Sequence, residues 1–334
     1  MRRLPVLLVA SAVILASLYT GYWFTVAHRL RGSLEPWAES QRAHGLAVAW
    51  RTADIEGFPF VLRLRLTDAT WQAAQPFPYS ARGFVLVLDA APWNLRRWRF
   101  RAPQGMEADV IPGAAGLSAG TVDGTVVDSD DGTMIAFMAK PVTGNGIATG
   151  AAASSLDMRL TLPGRAPQSD RDPFISLDAR LADVSVPQAP PPFSQRFDAL
   201  SLATTVRGPI PAAPLPSALT RWRDAGGTLD IEGAHLAWDK TKVDIDGTLA
   251  LDSAMQPEGA LSATITGGDS IIDAIVAAGG LDPRYAAVAK SVLRAVAEPN
   301  PDGSETLHVP LSLQDQRVYI GPAPVAALPR FTWR

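Results

Sequence analysis

The stretch that decides the fold is IEGFPFVLRLRLTDATW, residues 55–71. Its apolar and polar side chains alternate strictly, which is the period of a half-buried β-strand. Pro59 restricts such a strand to a sheet edge or to a strand start. We therefore predict a strand over 58–71, with one apolar face that is a candidate surface for an apolar ligand. This face comprises Phe58, Phe60, Leu62, Leu64 and Leu66.

The same period recurs along most of the chain. Further strands are predicted at 46–54, 82–90, 94–101, 121–128, 133–140, 155–162, 174–186, 197–206 and 260–266, with three more within 227–251. Asp-Gly, a favoured two-residue hairpin turn, occurs at 123–124, 131–132, 246–247 and 302–303. Consecutive strands are therefore predicted to pair as antiparallel neighbours.

Short helices interrupt this pattern. One is predicted through Leu219 and Trp222, and another at about 270–278, where isoleucines and a valine share a face. A third begins with Asp282 as N-cap and Pro283 at the first helical position. The predicted fold class is mostly β, a β-rich α+β fold: a long curved antiparallel sheet with two or three short helices packed on it, preceded by one N-terminal transmembrane helix.

The N-terminus predicts a membrane anchor. Residues 4–27 carry no charge, and about 20 apolar residues span a hydrocarbon core as a helix. Tyr19, Tyr22 and Trp23 lie at the far end, where aromatic side chains favour the membrane boundary. A cleaved signal peptide is the competing interpretation, but this run exceeds the usual 7 to 15 apolar residues. Both interpretations predict that the remaining chain is exported from the cytoplasm.

Domain organisation follows from these segments. Residues 1–31 are predicted to be the anchor and residues 32–334 an exported β-rich domain. The proline-rich stretch at 187–192 is a stiff spacer, which leaves open a division into two halves, 45–190 and 195–334.

Composition narrows the possible functions. A net charge of -3 gives no global field that would attract nucleic acid, so no nucleic-acid partner is predicted. The chain has no cysteine, which excludes thiolate catalysis, disulfides and cysteine metal sites. The four histidines show no metal-binding spacing, and we predict neither a metal nor a cofactor.

Three short motifs permit sharper hypotheses. Gly116–Gly120 matches the G-x-S-x-G pattern of serine hydrolases, with Ser118 as nucleophile, but that motif requires a strand that turns into a helix. The glycines at 144–150 miss the spacing of a dinucleotide fingerprint, and the aspartates at 128–131 are out of register for a calcium loop. Ordinary loops and turns explain all three, so no catalytic residue is predicted and the chain is expected not to be an enzyme.

Three places carry a family resemblance. They are Gly57-Phe58-Pro59-Phe60 opening a strand that ends near Asp68; Ala237-Trp238 with 246–252 and Glu258-Gly259; and 311–315 with 318–322 and Leu328-Pro329. In these the chain resembles uncharacterised proteobacterial proteins, best represented in alphaproteobacteria, with an N-terminal anchor and a periplasmic domain of unknown function. More distantly it is similar to the AsmA-like superfamily. One departure is 314–317, where Asp-Gly is expected, so a looser turn is predicted there.

The resemblance implies a single-pass inner-membrane protein of envelope biogenesis. AsmA-like proteins are implicated in outer-membrane assembly or phospholipid transfer along a long β-sheet with an apolar inner face. The implied partners are the membrane, phospholipid and other envelope proteins. The alternative is a scaffold module that binds another envelope protein through a strand edge.

Overall fold

One long antiparallel sheet organises the molecule. The computed structural model describes residues 3–74, 78–111, 115–146, 148–189, 193–277, 283–300, 305–321 and 323–333. Within them lie four helices and nineteen strands, every pair of which is antiparallel. The predicted fold class, a large antiparallel sheet with short helices and a preceding apolar helix, is confirmed.

The helices are α1 (Arg3–Ala43), α2 (Leu215–Asp224), α3 (Gly268–Ala277) and α4 (Pro283–Val296). The first strands are β1 (Leu46–Ala49), β2 (Thr52–Glu56), β3 (Leu62–Ala73), β4 (Tyr79–Ala91), β5 (Asn94–Ala102), β6 (Met106–Ile111), β7 (Ala115–Ser129), β8 (Gly132–Gly146), β9 (Ala152–Ala153) and β10 (Ser155–Pro163). They are followed by β11 (Pro173–Ser185), β12 (Arg196–Arg207), β13 (Thr228–Trp238), β14 (Thr241–Leu251), β15 (Pro257–Thr266), β16 (Glu298–Pro299), β17 (Glu305–Gln314), β18 (Arg317–Ile320) and β19 (Ala323–Ala327).

The strands form a meander in chain order. Four short strands share a position with another strand, so the described strands occupy fifteen positions. At about 4.8 Å per position this sheet extends for about 67 Å. Strands β11 and β12, on either side of the proline-rich stretch, pair from Pro173 to Ser185. Residues 190–192 of that stretch lie outside the described residues, and a division into two halves stays a prediction.

The opening strand starts later than predicted. Residues 58–60 form a turn, and β3 begins only at Leu62. The prediction of one strand over 58–71 was therefore wrong at its N-terminal end. Gly57, with φ of 101°, reverses the chain where alternation alone indicated an extended backbone.

Asp-Gly was a poor guide to the turns. Only 131–132 lies at a hairpin, between β7 and β8; 123–124 and 246–247 lie within strands, and 302–303 lies outside the described residues. Segment 227–251 accordingly forms two strands instead of three. The chain turns at Asp239, whose φ is 50°, while Gly247 faces an irregularity in β13.

The short helices lie where the sequence predicts them. Trp222 and Leu219 of α2 pack on Leu251, and Ile271 of α3 packs near Trp238. The described part of α4 begins at Pro283, and the predicted N-cap Asp282 lies outside the described residues.

The helix α1 is longer than the apolar segment. It continues past Arg31 to Ala43, and its side chains from Leu8 to Leu18 are exposed. Packing on the sheet begins near Tyr19 and follows a helical stripe that includes Trp23, Leu34 and Ala38. The first part of α1 is long and apolar enough to cross a membrane, which fits a single-pass anchor.

The turn between β17 and β18 is tight, contrary to the predicted loose turn. Gln314 pairs with Arg317, and the two residues between them, Asp315 and Gln316, have φ of 50° and 58°. Two successive residues with positive φ are typical of a type I′ hairpin. The turn therefore has the length of an Asp-Gly hairpin, but Gln316 in place of glycine adds backbone strain.

We expect Gln316→Gly to raise the free energy of unfolding by about 1 kcal/mol, because glycine adopts positive φ without the steric cost of a side chain. Urea denaturation of the two proteins measures this. The matched control is Gln314→Gly, which lies in β17 without positive φ and should be destabilising. A destabilised Gln316→Gly protein would contradict the turn assignment.

The molecule exposes more surface than a compact protein of its mass. Its accessible surface is 20166 Å² at 35.5 kDa, where a compact monomer would have about 13,000 Å². Even if α1 were exposed along its whole length, a cylinder about 62 Å long and about 12 Å wide would account for only about 2,500 Å² of the difference. The remaining excess indicates an open sheet with large areas covered by no second layer.

Candidate functional site

One face of the sheet is apolar across nearly all its strands. Directly paired residues of antiparallel strands point to the same side, so the register defines rows of side chains that cross the sheet. The Leu64 row comprises Ile55, Leu64, Leu88, Phe100, Gly124, Phe137, Met158, Ala179, Leu202, Ala234, Ile245, Ala263 and Val309. It contains no polar side chain.

A second row lies beside the first. The Leu62 row comprises Leu62, Ala90, Trp98, Val126, Ile135, Leu160, Leu177, Thr204, Ile231, Gly247, Leu261, Leu311 and Ile320. Thr204 is its one polar member. We call the surface that carries these two rows and the parallel rows beside them the apolar face.

The apolar face has a packed section and an open section. In the packed section, from β3 to β8, Leu62 is 0% exposed and Leu64 is 5% exposed, and both lie beside a buried core that extends to Ala139 of β8. The Leu62 row itself is already partly exposed in this section from Trp98 to Ile135. In the open section, from β10 to β17, every residue of the Leu62 row is partly exposed. In the Leu64 row of the same section Leu202 is 37% exposed, whereas Ala263 and Val309 are buried. Large aliphatic side chains in this section therefore contact solvent where a core would bury them.

Aromatic side chains border the open section at one strand end. Phe193, Phe197 and Trp238 form a cluster with ring centroids 5.7 to 6.4 Å apart. Ile271 of α3 packs against this cluster. The helix therefore closes the margin of the face without covering the Leu62 row.

At the other strand end α2 forms a second border. Trp222 and Trp333 donate hydrogen bonds to the carbonyl oxygens of Arg207 and Met255, at 2.6 and 2.7 Å, which leaves their rings free for apolar contact. Between these rings and the sheet lies an apolar cavity of about 210 Å³. Its sheet wall is formed by Val206, Leu229 and Leu249.

The opposite face of the sheet is polar. One of its rows runs through Asp157, Arg180, Ser201, His235, Asp244, Thr264 and His308. His235 Nδ1 lies 2.7 Å from an Asp244 carboxylate oxygen. The sheet is thus amphipathic, with one wet face and one apolar face.

A charge cluster marks the polar face of the packed section. The Asp89 carboxylate accepts hydrogen bonds from Arg63 Nε at 2.7 Å and from Arg101 Nη2 at 2.8 Å. Burial raises the pKa of Asp89, but the hydrogen bonds and positive charges of Arg63 and Arg101 outweigh burial, so the pKa lies below its usual value. The same pairing raises the pKa of Arg63.

We expect Asp89→Asn to lower the free energy of unfolding at neutral pH by about 1 kcal/mol. The effect is modest because Arg63 and Arg101 are partly exposed, so that solvent screens their attraction to Asp89. A carboxylate with a lowered folded-state pKa stabilises the protein above its unfolded pKa of about 3.9 and loses that effect as pH falls through the folded value. The gap between the natural protein and the variant should therefore close below about pH 4.

Urea denaturation at neutral and acidic pH measures that gap. The control is Asp157→Asn, an exposed carboxylate on the same face. A gap that persists unchanged in acid would contradict the assigned role of the Asp89 charge.

The predicted ligand face is split by the structure. Leu62, Leu64 and Leu66 do lie together on β3, but all three are buried, Leu62 beneath Trp23 and Ala27 of α1. Phe58 and Phe60 lie in the turn before β3 and not in the strand, and both are exposed. Phe58 instead contacts the rings of Trp23 and Phe24. Ligand binding by these five residues stays a prediction.

The hydrolase motif lacks the geometry it requires. Ser118 lies within the uninterrupted strand β7, and its hydroxyl accepts a hydrogen bond from Asn145 at 2.9 Å. An amide is not a general base. No group of three or more potential metal ligands occurs among the described residues, and Asp130 of the calcium-like stretch pairs with Arg96.

Sequence reasoning missed the open section. Its residues are ordinary alternating leucines and isoleucines, each identical in pattern to a core position. A signal was nevertheless present, because β10, β12 and β14 repeat the alternation of β3 while the predicted helices are too few to cover all of them.

Comparison with known proteins gives one match. A family model described as an uncharacterized protein conserved in bacteria (DUF2125) matches residues 23–329. No curated protein and no solved structure matches the chain.

Proposed function

The chain belongs to the DUF2125 family of uncharacterised bacterial proteins, and from this premise we propose that it is a membrane-anchored periplasmic protein that binds lipid acyl chains. The helix α1 holds it in the inner membrane, and the open section of the apolar face receives the ligand. It acts in envelope biogenesis without covalent chemistry, in the manner of the AsmA-like proteins that it resembles.

The observation that carries this proposal is the partly exposed Leu62 row between β10 and β17. Burying apolar surface is favourable at about 0.8 kcal/mol per CH₂ group. The open section spans seven strands, about 29 Å, and one leaflet of a bilayer is about 15 Å deep in hydrocarbon. An acyl chain therefore fits along the section with room to spare.

The chemistry of the surroundings favours a lipid over a uniformly apolar ligand. The aromatic margins bound the apolar face, and a wet polar face lies directly behind it. A molecule with a long hydrocarbon tail and a polar head can bury the tail on the face while the head stays in water.

Native mass spectrometry of the full chain, released from detergent, tests the proposal. We expect phospholipid masses to remain bound to the natural protein. Lipid held by the sheet, unlike lipid around α1, should be lost when an acidic residue is placed on the apolar face. A natural chain that is always lipid-free would overturn the proposal.

A second candidate is a scaffold that binds another envelope protein through a strand edge. It is favoured by β19, which pairs only with β18 among the described strands and so presents a free edge. Site-specific photo-crosslinking from Leu328, next to this edge, should then capture a discrete protein. Crosslinks to no protein would remove this candidate.

A further inference from the structure

Two turns at the start of the sheet are hydrogen-bonded to α1 near the end of its apolar segment. The turn at 57–61 joins β2 to β3, and the turn at Pro92–Trp93 joins β4 to β5. Tyr22 donates a hydrogen bond to the Pro92 carbonyl oxygen at 2.8 Å, and Tyr19 donates one to that of Pro59. Both turns are therefore fixed at the level of residues 19–23 of α1.

That level is the expected boundary of the membrane. At about 1.5 Å per residue, the twenty steps from Arg3 to Trp23 cover about 30 Å, the thickness of a hydrocarbon core. Protein contacts agree with this placement, because side chains are exposed through Leu18 and Trp23 is only 4% exposed. The turns thus lie where the chain leaves the bilayer.

Both turns expose large aromatic side chains at this level. Phe60 is 70% exposed and Trp93 is 65% exposed, although both sit beside a packed core. Leu95, close to Trp93, is 41% exposed. Aromatic side chains with this placement are typical of the bilayer interface, where part of the ring is buried among lipids.

We propose that Phe60 and Trp93 insert into the outer interface of the bilayer beside α1, so that the first end of the sheet makes a second contact with the membrane. The partner of this surface is the phospholipid bilayer itself. The inference rests on the proposed role of α1 as an anchor and does not depend on lipid binding at the apolar face.

This contact fixes how the sheet stands on the membrane. An anchor helix alone allows the body to tilt relative to the membrane plane, whereas two inserted turns resist that tilting. The packed section then lies against the bilayer. The open section begins five strand positions further along the sheet, about 24 Å from β3.

Cysteine labelling in vesicles tests the insertion, and the natural chain helps because it has no cysteine. The test positions are Phe60→Cys and Trp93→Cys, with Leu15→Cys as a marker of the membrane core and exposed Thr161→Cys as a marker of solvent. Each full-length variant carries an NBD fluorophore in vesicles of phosphatidylethanolamine and phosphatidylglycerol. Lipids brominated at shallow or deep acyl positions then quench it.

We expect labels at 60 and 93 to lose more fluorescence to shallow bromines than to deep ones, and the label at 15 to show the reverse order. The label at 161 should lose none. If Leu15→Cys is quenched while labels at 60 and 93 behave like the label at 161, the inference is overturned and the anchor stands. If Leu15→Cys is not quenched, the anchor and the inference fall together.

Discussion

Leu202→Asp should bind phospholipid roughly 50-fold more weakly than the natural protein, if a hydrated carboxylate displaces about three CH₂ groups at about 0.8 kcal/mol each. Leu202 lies in the middle of the open section, on β12, and is 37% exposed. A charge there must keep its water, so an acyl chain cannot cross the position. Bound lipid per protein, measured by native mass spectrometry over a lipid titration, gives the change.

The matched control is Ser201→Asp, one residue away. It introduces the same charge on the same strand, but on the polar face, between Arg180 and His235. Its lipid binding should equal that of the natural protein, and urea denaturation should show both variants folded. Equal loss in the two variants, or no loss in either, would contradict a ligand on the apolar face.

Trp222→Ala should lower the free energy of unfolding by about 3–5 kcal/mol, the usual cost of truncating a buried aromatic side chain. Trp222 is 6% exposed and packs with Leu219 and Leu251, which joins α2 to the end of β14. Its truncation also removes the donor that pairs with the Arg207 carbonyl oxygen. Urea denaturation followed by circular dichroism measures the loss.

Trp93→Ala is the control for this truncation, because it removes the same side chain from a 65% exposed position. Its effect on the free energy of unfolding should stay within about 0.5 kcal/mol. A Trp222→Ala protein destabilised by less than about 1 kcal/mol would show that α2 is not part of the packed body.

Strand positions could largely be predicted, because alternation is a local property of the backbone. The segments 155–162 and 197–206 match β10 and β12 within one residue at each end. The turns were harder. Asp246-Gly247 has the composition of a hairpin yet lies within β14, since pairing with β13 and β15 on both sides keeps the strand continuous.

The candidate site was only partly predictable. Leu62 and Leu64 belong to two apolar rows, as their alternation indicates. Whether a row is covered depends on which helix reaches it, and no local pattern reports that. The helix α1 buries Leu62, while Leu160 and Leu177, with the same pattern, stay partly exposed.

The turn before β3 also could not be predicted from local alternation. Phe58 and Phe60 continue the alternation of β3 perfectly in sequence, yet the chain reverses at Gly57 and carries them out of the sheet. The contact of Phe58 with Trp23 of α1 joins residues about 35 positions apart. The alternation of neighbouring residues cannot predict a contact between residues so far apart in the sequence.

The central claim is that the open section of the apolar face holds acyl chains in the cell. The most direct test places a photo-reactive benzoyl-phenylalanine at position 202 on the apolar face, and in a second protein at position 201 on the polar face. After irradiation of intact cells, phospholipid should be crosslinked at position 202 and absent at position 201. Phospholipid absent from position 202, or equal at both positions, would contradict the account.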